Sequence, residues 1–251
     1  MSKFNNKVAV VTGGNSGIGY ATAKELAAQG ANVIITGRDK AAVDKAAAEL
    51  KVTGYVSDQG NLKDIDQLIT TVSQSAGKVD ILFINAGVAS FAPVEQAGEA
   101  HFDSIMNVNF KGAYFTLSKF IPHLNDGSSV IFLSSINATS GMPNTSVYAA
   151  SKAAVHSLVK VASSELAAKK IRVNAVSPGP VDTPIFGKTG LDEASLQGFA
   201  TAIENRVPLK RFGTADEVAK LVSFLASEDA SFITGAEYVI DGGVNVNPVL
   251  G

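Results

Sequence analysis

Apolar residues in this chain cluster in short β-branched runs separated by longer alanine-rich segments. The runs read as strands at about 7–12, 31–36, 52–56, 79–84, 128–134, 171–177 and 236–240. The segments between them predict helices at about 17–29, 40–50, 62–76, 99–121, 147–169 and 214–227. Strands such as Val8-Ala9-Val10-Val11 and Val130-Ile131-Phe132-Leu133 are apolar on both faces. A sheet built from them must be covered on each side, which marks a parallel sheet between helices. Regular strand–helix alternation then gives an α/β fold, a doubly wound Rossmann-type domain. No internal repeat, low-complexity tract or dividing linker interrupts it, so residues 1–251 read as one domain. One stretch breaks the rhythm, from about Pro184 to Pro208, where Gly187, Gly190 and Gly198 lie among Ile185, Phe186, Leu191, Leu196 and Phe199. An apolar, glycine-punctuated excursion after a strand is either a lid over a ligand or a static surface helix.

The 251 residues are 46% hydrophobic, enough for one sizeable core. A net charge of -2 with scattered lysines and arginines gives no basic stripe for nucleic acid and no basic amphipathic helix for a membrane surface. With no cysteine, disulfides, thiolate catalysis and cysteine-held metals are excluded. The first residues lack the apolar core of a signal peptide, and no run reaches membrane-spanning length, so the expectation is a soluble cytoplasmic protein. His101, His123 and His156 show no metal-binding spacing and read as surface or packing residues.

Chemistry enters at the end of the first strand. Thr12-Gly13-Gly14-Asn15-Ser16-Gly17-Ile18-Gly19 runs directly into a helix. Glycines permit a tight turn and close ligand approach, and a helix N-terminus offers free N–H groups to a pyrophosphate. The spacing is T-G-x-x-x-G-x-G, not the common G-x-G-x-x-G, but its place in the first βα unit marks a dinucleotide site. The second strand should end at the adenosine ribose, and it ends Thr36-Gly37-Arg38-Asp39. Gly37 stands where an acid would repel a 2′-phosphate, and Arg38 could pair with one, which leans toward NADP(H). Asp39 keeps NAD(H) open.

Tyr148 and Lys152 are four residues apart on a predicted helix and so share a face, with Ser135 thirteen residues upstream. A cation beside a phenol favours the phenolate and lowers its pKa from about 10. Such a pair suits proton exchange with an alcohol or carbonyl oxygen, which the Ser135 hydroxyl could also hold.

Together these residues resemble the short-chain dehydrogenase/reductase family over about Lys7 to Gly243. Thr12 to Gly19 is similar to its cofactor loop, and Asn85-Ala86-Gly87 to the second half of its Asn-Asn-Ala-Gly motif, with Ile84 in the first position. Asn109 matches the family's catalytic asparagine, Ser135, Tyr148 and Lys152 its triad, Pro178-Gly179-Pro180-Val181-Asp182-Thr183 the segment meeting the nicotinamide, and Asp241-Gly242-Gly243 its usual ending. Tyr55 replaces the acid that many relatives set at the adenine edge, leaving that edge to Asp58 or to Val56 and backbone.

The resemblance implies a seven-stranded sheet in the order 3-2-1-4-5-6-7. It implies cofactor contacts from Gly13, Asn15, Ser16, Gly17, Ile18, Gly19, Arg38, Val56, Asn85, Ala86, Gly87, Tyr148, Lys152, Pro178, Gly179, Val181 and Thr183. Ketones or aldehydes would be reduced to alcohols, and alcohols oxidised in reverse. Tyr148 would exchange the proton, Ser135 hold the oxygen, Lys152 lower the Tyr148 pKa and bind the ribose, and Asn109 bind a water linking Lys152 to solvent. Phe91, Asn137, Met142, Ile185 and Phe186 would line the substrate pocket, and Ile185, Phe186, Leu191 and Phe199, with Phe91 and Met142 near them, favour a less polar substrate.

Family precedent also implies a homotetramer that pairs the helices at 99–121 and 147–169, where Val155, Leu158 and Val159 serve either an interface or the core. The ending Pro248-Val249-Leu250-Gly251 has no side-chain metal ligand, so no metal is expected. A 3-oxoacyl-carrier-protein reductase, whose partner would need basic surface such as Lys188, Lys210 and Arg211, and a polyol or glucose dehydrogenase are the nearest alternatives. A non-catalytic nucleotide-binding regulator is a different class, which retention of Asn109, Ser135, Tyr148 and Lys152 argues against.

Overall fold

The computed structural model describes residues 2–183 and 193–246, and every predicted strand forms within them. β1 (Val8–Val11), β2 (Asn32–Gly37), β3 (Thr53–Val56), β4 (Val79–Ile84), β5 (Leu124–Leu133) and β6 (Arg172–Pro178) precede a two-residue ladder of β7 (Val181–Asp182) with β8 (Gly213–Thr214). β9 (Glu237–Ile240) completes the main sheet, which is parallel throughout in the order β3-β2-β1-β4-β5-β6-β9. This is the expected topology. Its seventh strand is ninth in the chain because the apolar pattern gives no sign of the short β7–β8 pair. β5 starts earlier than its apolar run suggests: Leu124 pairs with Val79, and the register resumes at Ser129 opposite Ile81 after an irregularity.

Strand periodicity sorts the core into two layers. Val10, Ile34, Leu82, Val130, Phe132 and Val173 face one side, where they meet α3 (Leu62–Ala76), α5 (Ala113–Phe120) and α6 (Ser146–Glu165). Ala9, Val11, Val33, Ile35, Ile81, Phe83 and Ile131 face the other, against α1 (Gly17–Ala28), α2 (Lys40–Leu50) and α8 (Ala215–Ala226). Phe4 is buried in this second layer and closes its lower end. Val155 and Val159 of α6 lie in the first layer with Leu158 packed beside them, so core packing accounts for all three.

The predicted helix at 99–121 is not continuous. α4 (Glu99–Met106) passes into a π-helical stretch at Asn107–Gly112 before α5 begins. The excursion after β7 contains a further helix, α7 (Glu193–Arg206), while Ile185, Phe186, Leu191 and Lys188 lie outside the described residues. Of the histidines, His156 is a packing residue, with Nε2 at 3.2 Å from Ser177 Oγ and 3.3 Å from Glu237 Oε1. Among the described residues no cluster of His, Asp or Glu could hold a metal, and no helix is long and apolar enough to cross a membrane.

Candidate active site

The strand order reverses between β1 and β4, and the loops leaving the C-terminal ends of β1, β4, β5 and β6 converge there. The glycine loop turns tightly after β1, with Gly13 and Gly17 at positive φ. A Cβ on Gly19 would stand 2.2 Å from the Gly13 carbonyl oxygen, so the first turn of α1 presses onto the loop as only glycine allows. Asn85 ties this loop to β4: its Nδ2 donates to the carbonyls of Thr12 at 2.8 Å and Gly13 at 3.2 Å. Thr12 Oγ1 in turn accepts from the N–H groups of Asn85 and Ala86. Ile84 is simply buried in the core, and Asn85 makes the bridging contact.

These residues fit a dinucleotide. Helices α2, α3 and α8 are capped by the side chains of Asp39, Asn61 and Thr214, but Ser16 leaves the N–H groups at the start of α1 without a side-chain cap. No acid lies in that first turn to oppose a phosphate. At the tip of β2, residue 37 carries no side chain, and a Cβ there would displace the side chains of Asn15, whose Oδ1 lies at 2.4 Å, and Val43, whose Cγ2 lies at 2.9 Å. Arg38 is exposed there and makes no ion pair with a described residue, while Asp39 accepts the Ala42 N–H as the α2 cap. At the adenine edge, Tyr55 turns away onto the first core layer, with its hydroxyl bonded to Ser75. Asp58 Oδ1 accepts the Gly60 N–H in a local turn, which leaves Val56, 52% exposed, as the side chain offered at the strand tip.

Ser135 follows β5, and Tyr148 and Lys152 come from the first two turns of α6. Lys152 is 4% exposed and donates from Nζ to the Leu133 carbonyl at 2.9 Å, with Nζ 5.8 Å from the centre of the Tyr148 ring. Burial lowers its pKa to about 8. Burial also raises the Tyr148 pKa, and the neighbouring Ser135 hydroxyl pulls it partly back. The shift runs opposite to the one read from the Tyr–Lys spacing. Desolvation of the hydroxyl prevails, and the nearby ammonium is bonded to a backbone carbonyl. The neutral phenol is therefore the resting form at pH 7.

Asn109 lies in the π-helical stretch, a distortion that concentrates at functional sites. Its Oδ1 accepts the Val88 N–H at 2.8 Å, and its Nδ2 donates to the Val88 carbonyl at 2.9 Å and to Ser151 Oγ at 3.2 Å. The side chain thus braces the loop after β4 against α6. A Cβ on Gly87 would stand 3.2 Å from Asn109 Oδ1 and 3.5 Å from Lys152 Nζ, so that loop runs directly over both. Only the second lone pair of Oδ1 is open to a water.

A cavity of about 320 Å³ opens above Ser135 and Tyr148. Phe91, Asn137 and Met142 line it as expected, together with Ile18, Pro178, Gly179, Val181 and Thr183. The Phe91 ring meets Tyr148 edge-on, with centroids 6.2 Å apart. Leu133, Ile136 and Ile203 also line it and were not marked by any motif. For Ile203, its four-residue spacing to the buried Val207 is the signal that the sequence holds. Gly179 lets β6 end against β9, since its Cβ would meet Asp241 Cβ at 2.6 Å. Asp241 then caps the closing turn by accepting the N–H groups of Gly243 and Asn245.

Residues 13–245 match a family model described as enoyl-(acyl carrier protein) reductase. The chain is 38% identical to dehydrogenase/reductase SDR family member 4 of Bos taurus, over 96% of this chain and 88% of that protein. The chain belongs to the short-chain dehydrogenase/reductase family. It is therefore an NAD(P)-dependent dehydrogenase/reductase. Another member, the 3-oxoacyl-[acyl-carrier-protein] reductase FabG of Thermotoga maritima, is 36% identical over 96% of this chain and 99% of its own. Among solved structures of the family, levodione reductase superposes with a TM-score of 0.93 at 31% identity, covering 98% of this chain and 100% of that one.

Proposed function

We propose that this protein reduces ketones or aldehydes to alcohols, and runs the reverse oxidation, with NADP(H) preferred over NAD(H). One observation carries the reading: the Tyr148 and Ser135 hydroxyls line one apolar cavity together with Ile18 of the α1 start and Thr183. When bound, the nicotinamide supplies or accepts the hydride. Ser135 and Tyr148 donate hydrogen bonds to the carbonyl oxygen, and Tyr148 gives it the proton as negative charge develops. Lys152, fixed by the Leu133 carbonyl, presents its ammonium to the ribose hydroxyls and stabilises the phenolate that forms. Asn109 holds the loop over Lys152 and offers Oδ1 to a water that returns the proton from solvent. Gly13, Asn15, Ser16, Gly17, Ile18 and Gly19 cradle the pyrophosphate, Val56 and Ala86 the adenosine, and Pro178, Gly179, Val181 and Thr183 the nicotinamide.

The reading is tested with a panel of aryl and alkyl ketones, a polyol and a 3-oxoacyl thioester, each with NADPH and NADH. Faster NADPH oxidation is expected with the apolar carbonyl compounds than with the polyol. Tight cofactor binding with no turnover of any carbonyl would point instead to a nucleotide-binding regulator. The carrier-protein alternative is weakened by Arg211, whose guanidinium is bidentate to Glu217 at 2.7 and 2.9 Å and so not free to meet an acidic partner.

The NADP(H) preference rests on the exposed Arg38 and on Gly37, which puts no acid at the strand tip. Arg38→Ala should lower kcat/KM for NADPH by about tenfold, the effect of one charge-assisted contact, and change that for NADH little. An unchanged ratio of the two would show that Arg38 does not read the phosphate. A homotetramer through α4, α5 and α6 is supported by Phe102, Tyr114 and Val161, which are exposed on those helices.

A further inference from the structure

The polar groups around the cavity are few, and most are engaged. Ser134 Oγ donates to the Lys152 carbonyl, Ser135 and Tyr148 are directed at the reacting oxygen, and Thr183 sits on the cofactor side. Asn137 and the exposed Ser90 are the exceptions, and of the two Asn137 is the one bonded to Ser135. It lies in the short helical turn Ile136–Ala138, held by its own N–H donating to Ser135 Oγ at 3.2 Å, so it is fixed next to the catalytic hydroxyl. Its carboxamide is weakly satisfied. Nδ2 lies 3.8 Å from Met142 Sδ, and Oδ1 accepts from Ser140 Oγ at 3.4 Å. A thioether can only accept, which sets the amino group on the Met142 side, where both residues line the cavity. One N–H then meets a poor acceptor, and the other meets none among the described residues.

A substrate that fills this cavity displaces water from that donor. A ketone with only hydrocarbon at that point leaves the N–H unpaired, which costs roughly 1–3 kcal/mol. A ketone carrying a second oxygen there recovers the bond. Sites built to hydrogen-bond a substrate discriminate strongly against analogues that lack the partner. We propose that Asn137 is a specificity-determining residue that donates from Nδ2 to a second oxygen of the substrate. The preferred substrates are accordingly apolar dicarbonyls, keto esters or diketones, with the second oxygen close to the reacting carbonyl. This rests on the reading that Ser135 and Tyr148 hold the carbonyl being reduced.

The test compares ethyl 3-oxo-3-phenylpropanoate with 1-phenyl-1-hexanone, matched in chain length, as substrates of the intact enzyme and of Asn137→Ala. The quantity read is the ratio of kcat/KM for keto ester over ketone, in which intrinsic reactivity cancels between variants. The ratio should fall about tenfold in Asn137→Ala, one hydrogen bond's worth of discrimination, whatever the change in the absolute rates. Asn137→Asp, equal in shape but with an acceptor in place of the donor, should lower the ratio at least as far. It also carries the test should the alanine variant fold poorly. Equal ratios in active enzyme and variants would overturn the role of Asn137 alone. No turnover of either probe by the intact enzyme would instead overturn the Tyr148 reading, and this proposal with it.

Discussion

Tyr148→Phe should reduce carbonyl turnover by about a thousandfold, within the range that a positioned general acid contributes. The substitution removes one oxygen and keeps the ring, so the edge-on contact with Phe91 and the packing of α6 should survive. The Ser135 hydroxyl remains, and with it one hydrogen bond to the substrate oxygen, which is why residual activity is expected. Cofactor affinity, followed by nucleotide fluorescence, should change by less than about twofold. Turnover within tenfold of the parent would remove Tyr148 as the proton donor.

The pH dependence follows from the same residue. Because burial raises the Tyr148 pKa, the phenol stays protonated through neutral pH and reduction should not need an acidic medium. Alcohol oxidation needs the phenolate, so its rate should rise with pH while reduction declines.

The fold was legible because each of its determinants is local. Every strand of the main sheet contains a short apolar or β-branched stretch, and the alternation of layers follows from residues such as Val10 and Val11 facing opposite sides. The glycine loop and the Tyr148–Lys152 spacing were legible for the same reason: turn geometry and helix periodicity fix them within a few residues. What escaped depends on the neighbours that folding brings. The π-helical stretch at Asn107–Gly112 has no composition of its own, and its register is set by Asn109 bonding to Val88 across the loop after β4. Tyr55 occupies an expected cofactor position, yet its ring finds the first core layer and Ser75, a preference of packing that an alignment of motifs does not carry. The direction of the Tyr148 shift was misread because spacing reports that a lysine shares the helix face. It does not report that the ammonium bonds a backbone carbonyl or that the phenol is desolvated.

Lys152→Met should make the protein more stable at pH 7 while disabling it. The ammonium is nearly fully buried, no carboxylate is paired with it among the described residues, and its side chain has one hydrogen bond, to Leu133. Its pKa falls from 10.5 to about 8 because burial disfavours the charged form. The sign is fixed by proton binding: between about 8 and 10.5 the unfolded chain binds the proton and the folded chain does not, so stability rises with pH across that window. Below it the lysine is charged in both states, and the folded protein carries the whole penalty, roughly 3 kcal/mol for a shift of that size. Methionine keeps the apolar stem and removes the charge, at the loss of one hydrogen bond of about 1 kcal/mol. The net gain of roughly 2 kcal/mol corresponds to a Tm higher by about 4–8 °C for a chain of this length. The difference from the parent should shrink as pH rises from 8 toward 10.5, and a calorimetric series over that range reads it directly. A variant less stable at pH 7, with no pH dependence in the difference, would mean that the folded protein compensates the charge. The expected pattern is that of a residue retained against the stability of the fold, as the proposed role of a cation behind the phenol requires.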